Sequence, residues 1–203
     1  ERAIALEPEH VSTYVLTFEE GTAYTRMLRE GKLPRPSDDR DLAHLDDACA
    51  QLSAAGYRRY EVSNHARPGA ESRHNLGYWR NAQWLGLGAG AHSHVAGRRW
   101  KNHDDPAAYA AAIARDGAAE AWSETPDAAS GVLESLMMGL RLVEEGVDLD
   151  ALSARHGLDV RALHREAIAR HVAAGHLVLD GPRLRCAPAG LRVLNTVLVD
   201  FVP

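Results

Sequence analysis

With 203 residues, 45% of them hydrophobic, the chain is long enough to bury a real core, and a medium domain with a smaller one attached is expected. A formal net charge of −5 and a pI near 6.1 exclude a general binder of nucleic acid or of anionic membranes, which needs a basic surface. No apolar run reaches the length of a membrane span, and the start Glu1-Arg2-Ala3-Ile4 lacks the layout of a signal peptide, so a cytoplasmic protein is expected.

In chain order, residues 1–6 read as the end of a helix stopped by Pro8, and Val11 to Phe18 as a strand. Tyr14-Val15-Leu16 is apolar on both faces, as in a parallel strand covered by helices. Gly21-Thr22 turns the chain into a short helix over 23–29, followed by Gly31 and a loop at Pro34-Arg35-Pro36. Ser37 is placed to cap the next helix, with Asp38 and Asp39 against its positive end. Leu42, Leu45, Cys49, Leu52 and Ala55 make its apolar stripe, and Gly56 ends it. A second strand through Tyr60 and Val62 then completes a βαβ unit in a parallel sheet, with Asn64 ending the strand.

Pro68-Gly69 is a loop, and residues 74–81 give about two helical turns. His92 to Val95 and Arg99 to Lys101 are short strands joined around Gly97, and Asp105-Pro106 opens a helix reaching Arg115. Gly117 to Glu124 is small and polar, and the domain boundary is placed there, dividing 1–118 from 119–203. Thr125 is expected to cap a helix with Pro126 at its first position, Leu133, Leu136, Met137, Leu140 and Val143 as its stripe, and Gly146 as its end. Asp148 caps a helix through Leu152, and Asp159 caps one carrying Val160, Leu163, Ile168 and Val172. A hairpin around Asp180-Gly181 and a last helix from Pro188 complete the outline of a winged helix.

Chemistry concentrates in one stretch. Tyr60-Glu61-Val62-Ser63-Asn64 would place a carboxylate, a hydroxyl and an amide at the carboxyl end of a strand, where α/β folds bind ligands. His74 and Tyr78, one helical turn apart, set a polar head beside a large ring, with Trp79 adjacent, a surface suited to a flat aromatic ligand. Gly86, Gly88 and Gly90 follow Trp84-Leu85 and would let backbone approach a bound group. His92 and His94 lie on one side of a strand, a spacing that also serves zinc or non-haem iron if His103 or Asp104 supplied a third ligand. A DNA-binding reading of the winged helix would use Arg161, His164, Arg165 and Arg170, with Arg183 and Arg185 on the wing. Asp159, Glu166 and the net acidity oppose it.

The residues Tyr60-Glu61-Val62-Ser63-Asn64-His65-Ala66, Arg73-His74-Asn75-Leu76-Gly77-Tyr78-Trp79 and Leu85 to Ser93, in this order and spacing, resemble the HemW group of radical S-adenosylmethionine proteins, often labelled oxygen-independent coproporphyrinogen III oxidase-like. The opening His10-Val11-Ser12-Thr13-Tyr14 and the helical tail resemble it too. The resemblance implies an α/β fold, the C-terminal part of a partial (β/α) radical-SAM barrel followed by a small α+β winged-helix-like domain. It implies a haem chaperone that binds haem and passes it to haem-accepting proteins, with the porphyrin-pathway oxidase as the alternative activity. His74, Asn75, Tyr78 and Trp79 map onto the motif associated with haem, with His74 as the candidate iron ligand. Tyr60, Glu61, Asn64, Gly86, Gly88, Gly90, Ala91 and His92 would line the cofactor pocket near S-adenosylmethionine. The family holds a [4Fe-4S] cluster with three cysteines of one loop. Cys49 and Cys186 are the only cysteines here, so no cluster is expected in this chain, and the sequence is expected to open inside a longer protein. The missing N-terminal half of the barrel, or a second copy of the chain, is then an expected partner. Two departures stand out: Ser72 replaces a cysteine common two positions before the histidine, and His65 replaces a phenylalanine, where it would be a second ligand or a polar surface substitution, the surface being expected.

Overall fold

The computed structural model describes residues 1–34 and 37–202, and its contacts divide the chain into two units, 1–72 and 73–203. The expected Pro34-Arg35-Pro36 loop falls partly outside the described residues. The boundary expected at residue 118 falls inside the second unit, between a helix and a strand.

The first unit begins with a 3-10 turn over Ile4–Leu6 and strand β1 (His10–Ser12), then α1 (Ala23–Arg29) and α2 (Asp38–Ala54). Strands β2 (Arg58–Arg59) and β3 (Asn64–Ala66) follow. Ser37 caps α2 by accepting from the Arg40 N–H, three aspartates fill its first turn, and Gly56 follows its end with φ 87°. β1 and β2 both pair antiparallel with β3, in the order β1-β3-β2. The expected parallel βαβ unit is therefore corrected: the chain turns back between Tyr60 and Asn64, and Asn64 starts a strand. That turn is closed by Tyr60 N–H to the Asn64 carbonyl at 3.2 Å and by the Arg59 guanidinium on the Val62 carbonyl. The strand expected from Val11 to Phe18 ends at Ser12, apart from one further bond from Thr13 N–H to the Ser63 carbonyl. A ladder cannot outrun its partner, and β3 begins at Asn64, opposite Ser12. No barrel forms among the described residues.

The second unit opens with α3 (Arg73–Trp79) and a sheet of β4 (His92–Val95), β5 (Arg98–Asn102) and β6 (Glu120–Glu124), antiparallel in that order. The turn between β4 and β5 places Ala96 and Gly97 at φ 51° and 75°, as a two-residue hairpin of this hand requires. α4 (Pro106–Asp116), capped by Asp105, joins β5 to β6, so most of the small, polar stretch in which the domain boundary is placed is the third strand of a sheet.

The remainder is the winged-helix-like part: α5 (Ala128–Gly139), β7 (Val147–Asp148), α6 (Leu149–His156), α7 (Val160–Leu163) and α8 (Arg165–Ala173), then β8 (Leu177–Asp180), β9 (Arg183–Cys186), α9 (Pro188–Leu191) and α10 (Leu194–Val199). β7 and β8 flank β9, both antiparallel to it. Asp127, not Thr125, caps α5, its carboxylate accepting from the Ser130 N–H at 2.7 Å. α5 stops at Gly139 rather than Gly146, and its buried side is Val132 and Leu136, continued by Leu140 and Leu142 in the following turns, while Met137 is exposed. The helix expected after Asp159 breaks at His164, and the last helix breaks at Arg192 and Val193. The first break lets both short pieces turn apolar residues inward, Val160 on α7 and Ile168 on α8, and after the second α10 buries Leu194, Val197 and Leu198.

Candidate functional site

The residues singled out by the sequence fall in two clusters of polar and aromatic groups, one in each unit. In the first, Glu61 is 0% exposed and His65 1%, with Asn64 buried between them in sequence. Glu61 Oε1 accepts from the Ser63 N–H at 3.1 Å, while its Oε2, the Asn64 Oδ1 and both His65 ring nitrogens are buried without a hydrogen-bond partner. Burial pushes the Glu61 carboxyl above the ordinary carboxylate value, against the pull of the Ser63 and Asn64 N–H groups and Arg59. Burial, helped by the charges of Arg59 and His10, holds His65 down at about 4, so its ring is neutral at pH 7. The surface position expected for His65 is therefore corrected: β3 is the middle strand, covered on both edges by β1 and β2. Tyr60 is half-buried, its hydroxyl 2.9 Å from His10 Nε2.

The second cluster grows from α3. One turn of helix brings His74 and Tyr78 together, ring centroids 4.7 Å apart and nearly perpendicular. Tyr78 meets Trp84 edge-on at 4.9 Å, and Trp84 meets His94 at 5.0 Å. His74, at the open end of this row, is exposed, with no hydrogen bond to its ring nitrogens among the described residues. Trp84 and His94 were not singled out as ring partners by sequence, because a backbone bridge between them, with both N–H groups bonded at 2.8 and 2.9 Å, sets the pairing. Trp79 leaves the row: its ring lies under the Arg141 guanidinium, 5.7 Å from its centroid, and its indole N–H is buried without an acceptor. Asn75 is half-buried on the same helix.

The glycine run serves its own chain first. A Cβ at Gly86 would collide with the His92 carbonyl, and one at Gly90 would stand 3.1 Å from Asp104 Oδ1. Only Gly88, at φ 101°, faces open space. The N–H groups of Gly86, Gly88 and Gly90 are bonded to Ser93 Oγ, Tyr109 hydroxyl and the His103 carbonyl at 2.9, 3.3 and 2.8 Å. Asn102, buried, ties the loop by donating to the Gly88 carbonyl, while its own N–H reaches the Ala91 carbonyl. His92 is exposed, and its carbonyl accepts from the Trp84 indole. Leu85 and Leu87 stand exposed along the run.

No group of three His, Cys, Asp or Glu side chains that could hold a metal occurs among the described residues. Cys49 is half-buried in α2 and Cys186 buried in β9, where burial raises its thiol to about 11, so both are free and neither fits a cluster. The arginines of a DNA-binding reading are largely engaged: Arg161 with Asp150 and the Gly181 carbonyl, Arg170 with Asp200, Arg183 with the Glu145 carbonyl. No helix is long and apolar enough to cross a membrane among the described residues.

Comparison with known proteins agrees with the motif reading. Residues 131–193 match the family HemN C-terminal domain. The chain is 39% identical over 197 residues to "Heme chaperone HemW" of Mycobacterium tuberculosis, covering 97% of this chain and 48% of that protein. It is 30% identical to the protein of the same name from Lactococcus lactis, over 100% of this chain and 52% of the relative. A zebrafish (Danio rerio) relative, "Radical S-adenosyl methionine domain-containing protein 1, mitochondrial", is 32% identical, covering 94% of this chain and 45% of that one. Coproporphyrinogen III oxidase (HemN) from Escherichia coli, described as a radical SAM enzyme, superposes with a TM-score of 0.71 at 17% identity, over 98% of this chain and 49% of its own. That likeness is one of fold. The chain spans about half the length of the relatives it matches.

Proposed function

We propose, for a chain that corresponds to the C-terminal portion of the HemW family, that it binds haem through His74 and belongs to a haem chaperone that hands haem to haem-accepting proteins. The observation that carries this is the exposed His74 imidazole braced edge-on by Tyr78, with Trp84 and His94 behind it. Neutral imidazole is a common axial ligand, and bound haem would supply an iron centre open to a second ligand on its other face. The residues fit such a group: His74 offers ring nitrogens with no hydrogen bond among the described residues, and Tyr78, itself backed by Trp84, sets the direction of its ring. A ligand on the surface also suits delivery, because a recipient can reach the iron while the chain still holds it. A [4Fe-4S] cluster does not fit this chain's two cysteines, and no radical step is derived for it. For the whole protein, S-adenosylmethionine near the Gly86 to His92 run and a cytoplasmic location are part of the same reading.

Haemin titrated into wild type, His74→Ala and His92→Ala, followed by the Soret band, is the test. His74→Ala is expected to weaken binding at least tenfold and to lose the histidine-ligated spectrum, while His92→Ala keeps both. If only His92→Ala loses the spectrum, the roles of the two motifs are exchanged. If both variants bind as wild type does, haem binds elsewhere.

A further inference from the structure

The break between α7 and α8 opens a pocket of about 390 Å³, lined by Leu163, His164, Arg165, Glu166, Arg170 and Phe201 among others. His164 is 7% exposed, and burial holds its ring below the ordinary histidine value, so at pH 7 it carries a single ring proton. Its Nε2 is buried without a partner, whereas Nδ1 keeps a path to solvent and has no hydrogen bond among the described residues. A buried N–H without an acceptor is the costlier orphan, which puts the proton on Nδ1. A ring so nearly enclosed meets solvent through the pocket that it lines, so His164 aims an N–H donor into it.

The start of α8 adds donors of the same kind. His164 occupies the N-cap position, yet no side chain caps the helix, and residues 165–167, whose N–H groups are left over in the first turn, all line the pocket. The acceptors nearby are taken or turned outward. Asp200 is held by Arg170 at 3.0 Å and by His171 at 2.9 Å, and Glu166 is exposed. The fold thus gathers donors at the positive end of a helix dipole and supplies them with no acceptor among the described residues.

We propose that this pocket binds an oxyanion of the phosphate type, held by the His164 Nδ1–H and the N–H groups at the start of α8. A tetrahedral anion accepts from several donors at once, and a helix N-terminus favours negative charge. Arg165 at the rim adds to that field and Glu166 in the same turn opposes it. None of this uses His74 or haem. The phosphate has two sources, the free ion or a phosphate group on a larger ligand, and Leu163 and Val202, which line the pocket at 49% and 57% exposure, offer the second an apolar rest.

Sodium phosphate titrated into the isotopically labelled full chain at pH 7 is the test, read on the His164 ring nitrogens and the amides of residues 165–167. The ring proton is expected on Nδ1 before phosphate is added, followed by saturable shifts with a dissociation constant on the order of 1 mM. Sodium chloride at equal ionic strength should not reproduce them. His164→Phe, which keeps a ring against Phe201, should weaken binding about tenfold, and Glu166→Gln should tighten it about threefold. Should His164→Phe fail to fold, Glu166→Gln still decides, because it removes only an exposed charge. A proton found on Nε2, shifts that never saturate or that chloride reproduces, or an affinity that Glu166→Gln leaves unchanged each overturn the proposal. Phenyl phosphate then assigns the source: tighter binding than phosphate supports a larger ligand resting on Leu163 and Val202, equal or weaker binding supports the free ion, and each keeps the oxyanion site.

Discussion

The two units bury apolar and polar side chains in very different proportions. The second unit buries Val132, Leu136, Leu140, Leu142, Leu149, Val160, Leu184, Val197 and Phe201 among many apolar side chains, beside the polar Ser93, Asn102, Ser135, His164 and His171. Among its described residues the first buries only Leu52, Tyr57 and Ala66 of its apolar side chains, together with Thr25, Glu61, Asn64 and His65, while Tyr14, Val15 and Leu16 stand exposed, Tyr14 at 73%. An apolar interior gains from every group removed from water, whereas a buried polar group returns its desolvation cost only if it is paired. The second unit is therefore expected to hold itself, and the first to lean on local bonds.

The largest test of that contrast is a matched pair of truncations. Leu136 is fully buried and Leu52 is 3% exposed, so burial alone predicts similar costs. A cavity costs most where the surroundings cannot collapse, and that describes the dense core around Leu136. Leu136→Ala is expected to cost about 4 kcal/mol and Leu52→Ala about 2 kcal/mol. Hydrogen exchange resolved by residue measures both, and equal losses would erase the distinction.

A second test turns on His65. Its ring is neutral in the fold and titrates at its ordinary value of 6.5 once unfolded, so the unfolded chain takes up the proton first as pH falls. Stability of the first unit is thus expected to be intact above 6.5, to fall as pH drops toward about 4, and to level below that, a loss of about 3 kcal/mol at most. Glu61 slopes the other way: its raised carboxyl contributes stability that is lost as pH rises through the carboxylate range. His65→Phe removes two unpartnered ring nitrogens, and is expected to stabilise the unit by about 1–2 kcal/mol at pH 7 and to flatten the slope between 6.5 and 4. Urea unfolding of both proteins across pH checks it, and an unchanged slope would remove His65 as its source.

What sequence revealed divides along the same line. Caps and turns are local, so Ser37, Asp105, Asp148, Asp159 and the Ala96-Gly97 hairpin were legible from residue types and spacing. Strand partners are not local. The apolar run at Tyr14 to Leu16 has the composition of a buried strand, yet its ladder ends where β3 begins, and period alone says nothing of where a partner stops. The same limit put His65 on the surface, since an alternating pattern cannot tell a middle strand from an edge. In the candidate site, the spacing of four between His74 and Tyr78 was enough to join them, but Trp84 and His94 entered the row through a bridge ten residues long in sequence. Trp79, adjacent to Tyr78, was grouped with it although a helix turns successive side chains about 100° apart.

The smallest expected effect concerns α2, whose 17 residues bury a single side chain, Leu52. A helix of that length with so little packed against it depends on its ends, because its first N–H groups find partners only in the cap and in water. Ser37 supplies one such partner at 3.4 Å, and Asp38, Asp39 and Asp41 oppose the helix dipole in the first turn. Ser37→Ala is expected to cost about 1 kcal/mol and to show as faster hydrogen exchange at the first turn of α2, with the second unit unchanged. If tertiary packing held α2 as it holds α5, the same substitution would leave exchange along the helix as it was, and the contrast between the units would have to rest on His65 and Glu61 alone.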